Sequence, residues 1–538
     1  MNSVRLKFAI AALAASVGVI GLHGNSALEL RHFIGEGRLD DLRWPNFSGD
    51  RATVTRFYEA DDFAPAWVGS RGPTPEALAL IETFEDAAEK GLNPEDYDAG
   101  RWNSRLDRLR SAGATPSDFA RFDLALTVSV IRFASDLNFG RVNPKLFHFD
   151  FDVGLDIGGR DTDIAGWIRS HLVSASNASA AVPAALSSIE PGFDGYRRTK
   201  RALAAYRKLS SEGEIEPLPS VKRPLKPGDS YPDLMHLATV LRRLGDLPGN
   251  TVISEAAYSG ALVEGVKHFQ ARHGLDSDGV LGSATLRALN VPLSQRVRQI
   301  ELTLERWRWL PHSFARPPII VNIPEFELRA LDESGRAALR MKVVLGKAYG
   351  HQTPVFSAEM TYLIFRPYWD VPESIARKEL LPKAAADPEY FVKNHYETVP
   401  TTSGGSRVRQ APGSDNALGG VKFLFPNEYN VYLHGTPAVE LFSKSRRDFS
   451  HGCIRVEKPE ELAAWVLRNI PQWTRERIRE AMKGTQPLQV NLDAPIPVLI
   501  VYGTTVVAGD GDIRFFDDIY GYDASLAQTL AAGRRQWM

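Results

Sequence analysis

Cysteine is almost missing: the chain has 538 residues and one thiol, Cys453. No intramolecular disulfide can form, and in an oxidising compartment a lone thiol must be buried or used. An excess of either charge is missing too. The 64 Lys and Arg against 65 Asp and Glu leave a net charge of −1, so no overall field draws the chain to nucleic acid. Past the N-terminus no apolar run approaches the ~20 residues of a membrane span. Neither His-Glu-x-x-His nor Cys-x-x-Cys occurs, so the common zinc signatures are absent. What is present is 43 % apolar and 24 % charged sequence, a globular composition that excludes disorder, collagen and coiled coil. At ~100–200 residues per domain, the length predicts three or four domains.

Arg5 and Lys7 precede an apolar run of 15 residues, Phe8 to Leu22, followed by Gly24-Asn25-Ser26. A basic start, a short hydrophobic stretch and small residues are the pattern of an export signal. Residues 1–26 are therefore expected to be a signal peptide or a membrane anchor, placing the protein outside the cytoplasm.

Residues 28–50 read as a polar spacer. From about 40 to 212 the apolar spacing is helical, as in Leu78, Ile81, Phe84 and Ala88, and Phe119 to Leu137 reads as an amphipathic helix. That helix ends at Gly140-Arg141-Val142-Asn143-Pro144. The Pro-rich run 217–227 reads as a linker. A compact helical module follows over 226–293, with a glycine-punctuated turn at Asp278-Gly279-Val280-Leu281-Gly282. After Pro317 short β-branched runs replace the helical period, at Ile319–Ile323, Met341–Leu345, Met360–Phe365 and Val498–Tyr502. The predicted fold class is multidomain α+β: helical N-terminal scaffold, three-helix module, then a mainly-β domain over 317–525.

The chemistry converges on Cys453. His434 ends the predicted strand Val431–Leu433, and Cys453 follows 19 positions later within Ser450-His451-Gly452-Cys453-Ile454-Arg455. A nucleophilic cysteine needs a base within reach and amide donors for the oxyanion. Adjacent strands would supply the base, and the amides of Gly452 and Cys453 the donors. At an ordinary pKa of ~8.5 a thiol is only ~3 % ionised at pH 7. One imidazolium at ~4 Å with an effective dielectric of ~20 supplies ~4 kcal/mol, enough to bring the thiol near 6. A preformed thiolate–imidazolium pair is therefore expected. A bland reading, a buried structural cysteine, competes with it. So does a metal site on His434, His451 and Cys453, which would lack a fourth ligand.

His434-Gly435-Thr436 followed by Ser450-His451-Gly452-Cys453-Ile454-Arg455 resembles the signature of the L,D-transpeptidases (YkuD-type catalytic domain), which remodel bacterial peptidoglycan. Residues 265–275 with Asp278 to Gly282 resemble a peptidoglycan-binding domain. Leu304-Glu305-Arg306-Trp307-Arg308-Trp309-Leu310-Pro311 and the Gly140–Pro144 motif resemble the large multi-module members of that family. The resemblance implies Cys453 as nucleophile, His434 as general base and acid, and the Gly435 carbonyl as the group orienting the imidazole. It implies an oxyanion pocket from Gly452, Cys453 and His451. Arg455, Tyr432, Trp369 and Ser450 would bind substrate. The implied reaction is attack after diaminopimelate in a tetrapeptide stem, loss of the terminal D-alanine, and transfer to a second stem's amine. Transfer to water or to a protein amine, and a non-catalytic wall-binding scaffold, remain alternatives. Neither cofactor nor metal is implied. The partners are peptidoglycan stems and other wall-synthesis proteins, and no nucleic acid. The stretch from 367 to 420 is far longer than a usual ~4–6-residue connection. The resemblance implies that it is a capping insertion, with its Thr401–Ser414 part mobile until substrate binds.

Overall fold

The computed structural model describes residues 19–151, 163–173, 177–253, 257–401 and 404–533. Residues 5–18 of the expected export signal lie outside these. Gly24-Asn25-Ser26, expected at its end, falls inside a helix, Val19–Glu36. Among the described residues no helix is long and apolar enough to cross a membrane.

The N-terminal domain is built around the helix Pro116–Phe139. Thr115 and Asp118 form a capping box and Pro116 opens the first turn, a strong start signal. The expected amphipathic stripe is instead buried on nearly every face, from Phe122 through Leu137, because helices surround it. Its buried Asp123 accepts bonds from the Tyr58 hydroxyl at 2.6 Å and the Trp67 amide at 2.7 Å, which satisfies the carboxyl internally. The expected polar spacer at 28–50 does not exist as such. Leu30, Phe33 and Ile34, at i, i+3 and i+4, join Leu39, Leu42 and Phe47 in this same core, so the helical domain begins before residue 40.

The small module has three helices, Leu234–Leu244, Ala261–Arg272 and Ser283–Leu289. Its glycine turn is pinned by Gln270, whose side chain accepts from the Gly279 amide at 2.8 Å and donates to the Val280 carbonyl at 3.0 Å. Gly279 has φ +72°, a left-handed value that favours glycine. The Pro-rich run is less free than expected. Leu218 and Leu225 are buried in the module's core, and Leu225 exchanges backbone hydrogen bonds with Leu281.

Helix Leu293–Arg308 leads from this module into the β domain. Eight strands close into a ring, taken round in the order Ala337–Gly346, Ile454–Val456, Leu433–His434, Val421–Leu424, Phe356–Phe365, Leu488–Val501, Ile319–Asn322 and Glu327–Leu331. The last pairs back antiparallel onto the first. Asp448–Ser450 adds to the outside of Ala337–Gly346 as a parallel edge. Closure removes open edges. Inward residues such as Val321, Leu363, Phe423, Leu433 and Ile454 fill the core with no exposed surface.

The two family-like motifs far apart in sequence meet at the base of this domain. Glu305 accepts from the amides of Arg141 at 2.5 Å and Val142 at 3.1 Å. Gly140 has φ +83°, and a Cβ there would lie 2.7 Å from the Trp309 indole nitrogen and 2.8 Å from Glu305.

Candidate active site

The site follows from the register of three short strands. Lys422 pairs across with His434, and His434 pairs with Arg455 on its other side. Leu433 lies between Phe423 and Ile454 in the same way. Side chains alternate along a strand, so Phe423, Leu433 and Ile454 enter the core and Lys422, His434 and Arg455 share the opposite face. Tyr432 and Cys453, two positions before His434 and Arg455, have the same parity. Five chemically active side chains are thus gathered on one patch.

His434 is 4 % exposed. Its Nδ1 lies 2.5 Å from the Gly435 carbonyl. That contact fixes the tautomer with the proton on Nδ1 and leaves Nε2 as the basic nitrogen. The thiol is half-buried, with Sγ 3.7 Å from the Asn430 carbonyl. The Tyr432 backbone amide and hydroxyl both face the sulfur.

Burial works against the expected thiolate–imidazolium pair. Burial, and then the charges of Arg455 and Lys422, hold His434 down at about 3. Burial pushes Cys453 above its ordinary range, against the pull of Tyr432, Lys422 and Arg455. Both shifts favour a neutral thiol beside a neutral imidazole. The simple Coulomb estimate omitted desolvation of the pair and the two neighbouring cations.

The turn carrying Cys453 is internally braced. Ser450, expected to bind substrate, is buried; its hydroxyl donates to the Cys453 carbonyl at 2.6 Å and accepts from the Gly452 amide at 3.2 Å. Gly452 has φ +118°, and a Cβ there would have 3.9 Å of clearance, so glycine is required for conformation and not for space. The Gly452 carbonyl is held by Thr353 Oγ1 at 2.8 Å. Of the expected oxyanion donors the Gly452 amide is therefore already engaged, whereas the Cys453 amide has no partner among the described residues. His451 turns toward the insertion: its Nε2 is 2.8 Å from Glu379 and its ring packs on His351 with centroids 4.7 Å apart.

The insertion is a small folded unit. Trp369–Asp370, Ser406–Gln410 and Tyr396–Pro400 form a three-stranded sheet over a cluster of Val371, Ala376, Leu380 and Val408. Trp369 packs partly buried against that cluster, its ring 6.4 Å from Tyr396. Its neighbour Asp370 is the residue whose charge reaches Lys422 and Tyr432. Part of the stretch expected to be mobile, Ser406–Gln410, is a paired strand. The base of the insertion is pinned by buried Asn416, whose amide donates to the Pro367 carbonyl at 3.2 Å and the Ala411 carbonyl at 2.9 Å.

Lys422 and Glu379 escaped the sequence reading. A polar residue alternating with Val421 and Phe423 was the available signal for Lys422. Glu379 is adjacent only in space. No group of three or more His, Cys, Asp or Glu side chains able to hold a metal occurs among the described residues.

Comparison with known proteins agrees with this geometry. Residues 316–507 match the family profile described as "L,D-transpeptidase catalytic domain" (YkuD), residues 52–203 a "Scaffold domain", and residues 230–289 a "Putative peptidoglycan binding domain". A curated relative from Haemophilus influenzae, described as a "Putative L,D-transpeptidase", is 30 % identical over 249 residues, 43 % of this chain and 50 % of its own length. The match thus spans about half the length of that relative. A crystal structure titled L,D-transpeptidase (Yku) from Stackebrandtia nassauensis covers 51 % of this chain and 94 % of its own at 14 % identity, with a TM-score of 0.20. The closed β domain thus matches the L,D-transpeptidase catalytic domain (YkuD) profile, and the three-helix module before it matches the peptidoglycan-binding profile.

Proposed function

We propose that the chain is a cysteine-dependent L,D-transpeptidase that crosslinks peptidoglycan stem peptides through a thioester on Cys453. The observation that carries this reading is the shared face of His434 and Cys453, with Nδ1 of the base held by the Gly435 carbonyl. With both groups neutral, the thiol proton passes to Nε2 as sulfur attacks the carbonyl of diaminopimelate that is bonded to the terminal D-alanine. The Cys453 amide is placed to donate to the developing oxyanion. Collapse breaks the amide bond, and His434 returns the proton to the departing D-alanine amine. A second stem's amine then attacks the thioester, giving its proton to His434, and the thiol is re-formed. One amide replaces another, so no energy source is needed.

The reading places the protein outside the cytoplasm, sent there by its N-terminal residues, with stem peptides as donor and acceptor and other wall-synthesis proteins alongside. Incubating the purified chain with disaccharide-tetrapeptide fragments and separating the products tests it. Crosslinked dimers with released D-alanine support crosslinking. Tripeptide alone would assign a carboxypeptidase, and unchanged fragments would contradict the proposal.

A further inference from the structure

Lys422 and Arg455 flank His434 on its two sides in the sheet. Both are half-buried, and neither makes a hydrogen bond or an ion pair within 4 Å among the described residues. The Lys422 ammonium lies over the face of the Tyr432 ring at 3.8 Å. The ionisable Cys453 acts on both cations, followed by Asp370 on Lys422 and Glu440 on Arg455. Asp370 is already engaged by Arg407 at 3.3 Å. Two partly desolvated cations without an anion are costly to hold, unless a ligand supplies the missing charge.

We infer that Lys422 and Arg455 form a two-cation seat for the C-terminal carboxylate of the donor stem. The inference rests on the transpeptidase reading and adds to it a residue and a ligand group. In that reaction the leaving residue ends in a free carboxylate, about one residue length, ~3.5 Å, beyond the scissile bond. A guanidinium and an ammonium around one carboxylate give charge-assisted hydrogen bonds. Arg455 supplies the planar fork and Lys422 the point charge.

The test compares a tetrapeptide stem ending in the free acid with the same stem ending in a carboxamide. The readout is the rate constant for acylation of Cys453, on the full chain and on its Lys422→Met and Lys422→Arg variants. Iodoacetamide labelling of Cys453 in each variant reports a folded, accessible thiol. The full chain is expected to prefer the acid by about tenfold or more, the scale of one lost charge-assisted contact. In Lys422→Met the acid-to-amide ratio should fall toward one, and Lys422→Arg should restore most of it. Equal rates for acid and amide on the full chain would overturn the seat. So would a Lys422→Met variant that slows both stems by the same factor, since that marks Lys422 as a brace for Tyr432. If iodoacetamide labels Cys453 and neither stem acylates it, the transpeptidase reading itself fails and takes the seat with it.

Discussion

Two clusters of charge lie inside this molecule, and they are built on opposite plans. At the base of the catalytic domain, Glu305 accepts from the amides of Arg141 and Val142 and lies 3.5 Å from Arg308. Arg308 in turn reaches the Tyr196 hydroxyl at 3.1 Å, and Arg141 reaches Asp96 at 2.7 Å. Every charge there has an opposite charge or a hydrogen-bond partner. On the face of His434 neither the Lys422 nor the Arg455 side chain has a hydrogen bond or ion pair within 4 Å among the described residues, and burial lowers both from their ordinary values. Where charge joins domains its partners are present. On the face of His434 a close partner has been left out. Buried ions without partners cost several kcal/mol, so the second plan persists where something arrives to complete it.

The largest effect expected from disturbing this contrast is at the nucleophile. Cys453→Ser should fold as the parent does and lose acyl transfer by about a thousandfold or more, because a hydroxyl is poorly activated by the same imidazole. Rates of D-alanine release measure this, and near-parental turnover would remove Cys453 from the chemistry. Next comes the base. His434→Gln should slow acylation strongly at neutral pH, with partial recovery toward the thiol's own pKa. An identical pH profile in variant and parent would show that His434 is not the base.

The paired cluster should respond in stability. Glu305→Ala leaves Arg308 without its nearest acid and the Arg141 and Val142 amides without an acceptor, and should cost about 3–5 kcal/mol by denaturant unfolding. The fraction still folded should keep a parental rate of iodoacetamide labelling at Cys453. A loss below about 1 kcal/mol would mean that the junction tolerates an open charge as well as the catalytic face does, and the contrast would dissolve. Gly140→Ala attacks the same junction through sterics, since φ +83° and the Trp309 contact both oppose a Cβ.

The smallest effect concerns the insertion. Glu379→Gln weakens the 2.8 Å contact from His451 Nε2, a partly exposed contact worth up to about 1 kcal/mol. It should raise hydrogen exchange over 373–386 while leaving the sheet at its parental rate. In the parent, a covalent acyl inhibitor on Cys453 should increase protection within 367–415. Unchanged exchange there would remove the insertion from the mechanism.

Much of this was legible in the chain itself. The single cysteine, its His-Gly flank and the 19-residue spacing to His434 pointed to the proposed catalytic pair. Strand alternation around Leu433 then placed them on one face. What escaped was set by tertiary burial. The neutrality of the pair depends on desolvation by the closed sheet and on Lys422 and Arg455 standing either side of His434. Ser450 looked available in sequence, and only the tight turn shows its hydroxyl bonded to its own backbone. Trp369 looked like a substrate platform, but the insertion needed an aromatic for its own small core. The 28–50 stretch looked polar because Leu30, Phe33, Ile34 and Phe47 are diluted among charged neighbours, and helix periodicity brings the first three onto one side.

The central claim is that a neutral thiol and a neutral imidazole, side by side, carry an acyl group from one stem to another. Intact-mass measurement of the chain after a brief exposure to a tetrapeptide donor without acceptor tests it most directly. The account predicts a mass increase equal to the tripeptide acyl group, mapped by proteolysis to the peptide bearing Cys453, discharged on adding an acceptor stem and absent in Cys453→Ser. A chain that releases D-alanine from the donor with no adduct at Cys453, or with the same yield in Cys453→Ser, would contradict it.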